Sequence, residues 1–280
     1  MTLPTLARER ILRVFPERTR ATPDDDMVRV GLPGLFDRDL DIDLVKISVV
    51  FKWQIPLAEK MFRAWSDFYP AEIGGVAMGD PGGQFEPGMF LKKGYVITSR
   101  GCPNKCWFCE AWKREGKIRE LEVRPGNNVL DNNLLACSDN HIRAVFAMLK
   151  CQRGVEFTGG LEAARLKDWH VKELAEIKPI QMFFAYDTPD DLEPLREAGK
   201  KLAPVFGQPE LRCYVLCGFK GDTVDKAQKR MLETMQAGFM PAAMFYQGSG
   251  IPAIKNEWQG FVRHYYRPAI MRKEMAEAAL

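Results

Sequence analysis

Histidine is nearly absent from this 280-residue chain: only His141, His170 and His264 occur. That disfavours zinc sites built on imidazole and removes the commonest general base from most of the sequence. Long apolar runs are missing as well, and none approaches the ~20 residues needed to span a bilayer. Met1 to Arg20 holds four Arg before Thr19 but no uninterrupted apolar stretch, so it does not read as a secretory signal. An excess of one charge sign is also lacking. A net charge of +3 without a long basic block gives no indication of nucleic acid as a partner. No repeat of fixed period and no low-complexity tract occurs.

What is present suits a soluble α/β protein. Apolar content of 46% and charged content of 28% are ordinary for a globular chain with a buried core. Seven Cys without a secretion signal argue for reduced thiols and a cytoplasmic setting. The odd count, with three Cys clustered, fits metal binding better than a disulfide framework.

Residues 1–26 read as an N-terminal extension, where Leu6, Ile11, Leu12 and Phe15 suggest a short amphipathic helix. Residues 27–88 read as a small α/β region with its linker. Val28 to Gly31 is a short strand, and Leu44 to Phe51 is a β-branched, buried strand. Leu57, Met61, Phe62 and Trp65 mark a helix face, and Glu72 to Ala77 reads as a further strand. Strand, helix, strand is a βαβ unit with a parallel pair. Gly79 to Gly88 is dense in Gly and Pro and reads as a linker.

Residues 89–250 alternate strand and helix. The predicted strands are Tyr95 to Thr98, Asn128 to Asp131, Val155 to Thr158, Ile180 to Tyr186, Leu211 to Cys217 and Pro241 to Tyr246. The helices between them lie near His141 to Lys150, Asp168 to Ile177, Pro189 to Leu202 and Thr223 to Ala237. This order predicts parallel α/β architecture, either an open doubly wound sheet or a partial barrel. In both, ligands gather at the carboxyl ends of the strands. The predicted ends carry a Cys loop, Asp131, Gly159, Asp187 and Gly218. Residues 251–280 read as a C-terminal helical extension, with Arg263 to Leu280 interrupted near Pro268.

The Cys loop is Cys102-Pro103-Asn104-Lys105-Cys106-Trp107-Phe108-Cys109, spaced Cys-x3-Cys-x2-Cys. Three chemistries compete for it. Zinc wants four ligands, usually in paired knuckles, and the nearest further pair, Cys213 and Cys217, lies in an apolar strand. A ferredoxin-type cluster wants more Cys nearby. Three thiolates also suit an iron–sulfur cube with one iron left open for chemistry.

The spacing, with aromatic Phe108 before the last Cys, resembles the radical S-adenosylmethionine superfamily. Thr98-Ser99-Arg100-Gly101 and the Cys-Pro start look like its cobalamin-dependent and methylthiotransferase branches. The resemblance covers about Gly94 to Gln247. It implies a partial (β/α)6 TIM-like barrel preceded by a small Rossmann-like α/β region. It implies a 4Fe–4S cluster on Cys102, Cys106 and Cys109, with S-adenosylmethionine chelated at the unique iron. Reductive cleavage of that cofactor would generate a 5′-deoxyadenosyl radical that abstracts hydrogen from a substrate.

Carried over by residue, Phe108 matches the aromatic whose backbone meets adenine. Asp131, Asn132 and Asn133, ending the second strand, match the acceptor of the cofactor's ammonium; Gly159-Gly160-Leu161-Glu162 resembles the family's Gly-Gly-Glu wording one strand later. Gly159 and Gly160 would let backbone approach the ligand. Asp187 matches a ribose-binding position, or else a helix-start acid. Gly218 and its neighbours resemble an adenine-contacting loop, with Tyr246 ending the sixth strand nearby.

Cys137, Cys151, Cys213 and Cys217 read as core thiols, and His141 and His170 as surface or capping residues. The first unit resembles a worn-down cobalamin-binding domain, but no His precedes His141, so no cobalamin is expected. Arg18, Arg20, Arg100, Lys105, Lys113, Arg114 and Lys117 are cations that could meet an acidic electron donor such as flavodoxin or ferredoxin. Trp107 and Trp112 are expected to pack over the loop. The expectation is thus an enzyme. A non-catalytic iron–sulfur electron-transfer or redox-sensing protein and a zinc-stabilised binding protein are the alternatives.

Overall fold

The computed structural model describes residues 9–246, 248, 256–267, 269–271 and 273. The chain divides into two compact units, Met1–Tyr95 and Val96–Leu280. The division falls just past the Gly- and Pro-rich linker rather than within it.

The first unit has strands β1 (Ile11–Phe15), β2 (Val28–Val30), β3 (Leu44–Ser48) and β4 (Ala71–Gly74), with helix α1 (Ile55–Ser66) between the last two. All pairs are parallel, in the order β2-β1-β3-β4. The helix expected at the start of the chain is therefore a central strand. Leu12, Val14 and Phe15 are all buried, so β1 is covered on both faces, and a strand so covered shows no alternation to read. Leu6, counted toward that helix, lies outside the described residues. Helix α1 starts with Pro56 in its first turn, where a missing N–H costs nothing. It buries Ala58, Met61 and Trp65 on one stripe against Leu12, Val14, Val45, Ile47 and Val49. The Trp65 indole donates to the Gly31 carbonyl at 3.1 Å, so its polar atom is satisfied in the core. The predicted βαβ unit is β3-α1-β4. The strand expected to run to Ala77 ends at Gly74, and a 3₁₀ turn follows at Val76–Met78.

The second unit is built on β5 (Tyr95–Val96), β8 (Asn128–Val129), β9 (Glu156–Phe157), β10 (Gln181–Tyr186), β11 (Leu211–Cys217) and β12 (Met240–Phe245). A short antiparallel pair, β6 (Ser99–Arg100) with β7 (Arg119–Glu120), lies between the first two and encloses helix α2 (Ala111–Glu115). The main sheet runs β5-β8-β9-β10-β11-β12, in sequence order without reversal. A doubly wound sheet reverses at a switch point; this one does not. The crossovers carry α3 (Asp139–Lys150), α4 (Asp168–Ile177), α5 (Leu192–Leu202) and α6 (Val224–Gln236). Helix α7 (Asn256–Tyr265) follows β12. Ser138 caps α3 by accepting from the His141 N–H, and Thr223 caps α6 by accepting from the Lys226 N–H. Gln247, Pro268 and residues 274–280 of the expected strand end and terminal helix lie outside the described residues.

Alternation on the strands separates two faces. Phe157 meets Phe146 of α3, and the Tyr186 hydroxyl donates to Glu233 of α6 at 2.7 Å, so these side chains face helices. Phe183 and Tyr214, on the other face, stack with centroids 4.2 Å apart. Cys137, Cys213 and Cys217 are core thiols as expected, but Cys151 is exposed at the end of α3. His141 and His170 are buried rather than on the surface. His170 does act as a cap, its Nδ1 accepting from the Lys167 N–H at 3.0 Å. Among the described residues no helix is long and apolar enough to cross a membrane.

Candidate functional site

The Cys loop is an excursion between β6 and β7, closed at its base. The Cys102 N–H donates to the Gly116 carbonyl at 3.0 Å. Gly101 has φ +81°, and a Cβ there would lie 2.3 Å from the Lys117 carbonyl oxygen. Only glycine can make that approach. Glu115, buried at the end of α2, accepts from the Gly101 N–H at 2.9 Å and from the Asn132 amide, while Arg114 reaches its other oxygen at 2.6 Å. One carboxylate therefore ties the start of the loop, its end and the turn after β8. Within the loop, the Cys106 carbonyl accepts from the Cys109 N–H at 3.2 Å and the Trp112 indole at 2.9 Å.

From this base the loop reaches the carboxyl ends of several strands. On one side the Asn133 amide, after β8, donates to Cys102 Sγ at 3.6 Å and to Glu162 Oε2, after β9, at 2.6 Å. On the other side Trp107 packs edge-on to Phe219, after β11, at 5.6 Å and against Tyr246, after β12, at 5.4 Å. Phe108 meets Trp107 at 5.4 Å. Trp107 still leaves 53% of its surface exposed, so it covers the loop only in part.

The predicted site residues divide into two groups. Asn133 and Phe108 lie at the loop, joined by Glu162, which the second-strand assignment had passed over. Asp131 is at the strand end, but its carboxylate is committed inward. It accepts from the Thr98 N–H, the Thr98 hydroxyl and the Ser99 hydroxyl, each at 2.6 Å, and is 1% exposed. Burial raises its pKa against those three donors. It fixes the chain entering the Cys loop. Asn132 likewise serves the base of the loop through Glu115. Gly159 is required by the fold itself, since a Cβ there would sit 2.4 Å from the Asp131 carbonyl oxygen of β8's turn. Gly160, at φ +103°, has open space where a side chain would project. Gly218, at φ +75°, lies under the Phe245 ring, and its N–H donates to Asp222 at 2.9 Å. Asp222 also holds Arg230, which stands 5.3 Å from the Phe219 ring centre and thereby positions one wall around Trp107. The sequence marks Asp222 only as a helix start, and nothing in it marks Glu115, whose partners Gly101 and Asn132 lie 14 and 17 residues away, or Arg230.

Asp187 and Asp191 follow β10. The Asp187 and Thr188 N–H groups both donate to Asp191, which makes Asp191 the helix-start acid of the pair. Burial, then the Asp191 charge, push Asp187 up to about 7, against a Leu216 N–H that lowers it. A carboxyl raised in the folded state stabilises fully below its unfolded pKa of 3.8, and that contribution is lost as pH climbs toward 7. Asp187→Asn should therefore melt higher than the natural protein at pH 8 and show a flatter stability profile between pH 4 and 7. Parallel profiles for the two proteins, in melts followed by circular dichroism, would remove Asp187 as the source of that slope.

Three thiols offer a donor set for a soft, thiophilic metal centre. Burial, then the charges of Cys109 and Cys102, raise Cys106 to about 11, with Asp187 and Asp191 adding to the effect. Without a cation, burial above all, and then the two neighbouring Cys charges, disfavour the Cys106 thiolate. A bound cation reverses that sign, since a coordinating thiol is deprotonated outright. The donor chemistry fits an iron–sulfur group. Among the described residues, no three His, Cys, Asp or Glu side chains stand as a metal-holding group in the bare chain. Part of the nearby positive charge is internally paired: Lys113 bonds Glu110 at 2.8 Å, and Arg114 bonds Glu115. Lys105 and Lys117 are exposed. No protein-family model and no curated protein matches this chain.

Proposed function

We propose that this chain is a radical S-adenosylmethionine enzyme whose cluster is held by Cys102, Cys106 and Cys109. The observation that carries the reading is the placement of the three-thiol loop. It is tied to the ends of β8 and β9 through Asn133 and Glu162, and to those of β11 and β12 through Trp107. In parallel α/β sheets that end is where ligands bind. The unreversed strand order also suits a sheet curved into a partial (β/α)6 barrel.

When bound, the cluster supplies one electron to S-adenosylmethionine, whose cleavage starts hydrogen abstraction from a substrate. The chain's own residues seat and shield that chemistry. Glu162, with Asn133 beside it, offers acceptor oxygens for the cofactor's ammonium. Gly160 leaves room for close approach of the ligand. Trp107, Phe108, Phe219 and Tyr246 form an aromatic wall that limits water at the loop. Asp187 lies within electrostatic reach of Cys106 and is the candidate for the cofactor's ribose hydroxyls. The electron enters from an external donor such as flavodoxin or ferredoxin.

The test is anaerobic reconstitution with iron and sulfide, reduction with dithionite and addition of S-adenosylmethionine. The expected product is 5′-deoxyadenosine. A brown protein whose spectrum ignores S-adenosylmethionine would instead be a non-catalytic iron–sulfur protein. A colourless, zinc-loaded chain would be a zinc-stabilised one.

A further inference from the structure

We infer that Asn133 is a positioning residue that sets the reduction potential of the cluster through an N–H···S bond to Cys102. This rests on the function proposed above and goes beyond it. Asn133 lies just past β8 and is 3% exposed. Its amide nitrogen carries two hydrogens. Glu162 Oε2 lies 2.6 Å from that nitrogen, and Cys102 Sγ lies 3.6 Å from it. The orientation follows from the partner's chemistry. An ionised carboxylate only accepts, so the nitrogen, not the oxygen, must face Glu162. Glu162 is itself held by Arg165. The amide is thus locked with its second hydrogen directed at the sulfur.

The other end of the same amide sharpens the point. Asn133 Oδ1 is buried and has no hydrogen-bond partner. Folds seldom leave a buried acceptor unpaired. The oxygen is thus left for a ligand, as in the function proposed above, while the nitrogen serves Glu162 and Cys102. A hydrogen bond to a ligating sulfur favours the state with more negative charge on that sulfur. One-electron reduction adds charge to the cluster, so the Asn133 bond raises its potential. Without it, reduction is harder, although all three ligands remain.

The experiment uses the full chain, reconstituted with iron and sulfide and without S-adenosylmethionine. Natural protein and Asn133→Ala are titrated with dithionite, and the reduced cluster is followed by electron paramagnetic resonance. At a fixed potential, the reduced-to-oxidised ratio of the variant should fall about tenfold, equivalent to about 59 mV for one electron. A variant cluster with an unchanged midpoint overturns the inference and leaves the proposed function standing. A natural protein that takes up no four-iron cluster overturns both. If Asn133→Ala fails to fold, natural protein labelled with ¹⁵N in its Asn side chains carries the decision. Electron–nuclear double resonance on its reduced cluster should show a ¹⁵N coupling. The absence of that coupling overturns the inference.

Discussion

Replacing Cys106 with Ala should abolish iron–sulfur colour and S-adenosylmethionine cleavage together, while the protein stays folded. The first part follows from ligand arithmetic. Three thiols within one loop leave no spare sulfur nearby: Cys137, Cys213 and Cys217 are buried, and Cys151 ends α3. Changes to residues that only support ligands typically cost about 10–100-fold in affinity or activity; loss of one of three ligands should leave nothing measurable. The second part follows from what Cys106 does without metal. Its contribution to the loop's hydrogen bonds is the backbone carbonyl, which receives Cys109 and Trp112. Alanine keeps that carbonyl. It also removes a half-buried thiol whose ionised form is disfavoured by burial and then by the neighbouring Cys charges. Iron per chain, visible absorbance and 5′-deoxyadenosine are measured alongside a thermal melt. Retained cleavage would take Cys106 out of the ligand set, and an unfolded variant would assign it a structural part that its contacts do not support.

Gly101→Ala should lower both stability and iron uptake although it touches no thiol. The backbone at Gly101 has φ +81°, which disfavours any side chain, and a Cβ would meet the Lys117 and Gly116 carbonyl oxygens at 2.3 and 2.7 Å. Backbone oxygens cannot step aside without opening the Cys102 to Gly116 bond that closes the loop. Gly116 is the control. It has φ +73°, but nothing lies within 4 Å of its added Cβ. Gly116→Ala therefore carries conformational strain alone, on the order of 1–3 kcal/mol. Gly101→Ala carries similar strain plus the overlap, and its melting point should fall by roughly 10 °C. Iron uptake should fall in Gly101→Ala although all seven thiols are present. Equal effects of the two alanines, in the same melts and iron assays, would show that backbone overlap is not what Gly101 avoids.

The sequence was most legible where local chemistry and tertiary demand coincide. The six strands of the second unit lie within a few residues of their predicted spans, because short apolar runs separated by helix-period segments mark them, several ending at Gly or Asp. Helix α6 was placed from Thr223 because a hydroxyl there accepts from the Lys226 N–H, a bond within one turn. The sequence was least legible at β1. Ile11 to Phe15 is short and apolar, and it became a strand only because β2 and β3 flank it. A five-residue apolar stretch has no period long enough to tell helix from strand. The pair β6 and β7 was missed for a related reason: two-residue strands carry no pattern.

The candidate site shows the same division. Cys102, Cys106 and Cys109 are legible as one candidate donor set because a single eight-residue loop carries all three thiols. The proposed acceptor of a cofactor's ammonium depends instead on contacts between segments. Asp131 had the right strand position, yet its carboxylate accepts from Thr98 and Ser99, two residues on another segment. Glu162, one strand later, reaches the loop through Asn133.

By itself the sequence determined the alternating parallel α/β plan, the three-thiol donor set and the glycines at tight turns. Each depends on interactions spanning only a few residues. Tertiary structure alone decided the strand order without reversal, the central place of β1 and the inward commitment of Asp131. It also decided the bond from Asn133 to Cys102 and the clamp by Glu115. These depend on distances between segments far apart in the chain, set by how the sheet and its crossovers pack. No residue's immediate neighbours in sequence encode such distances.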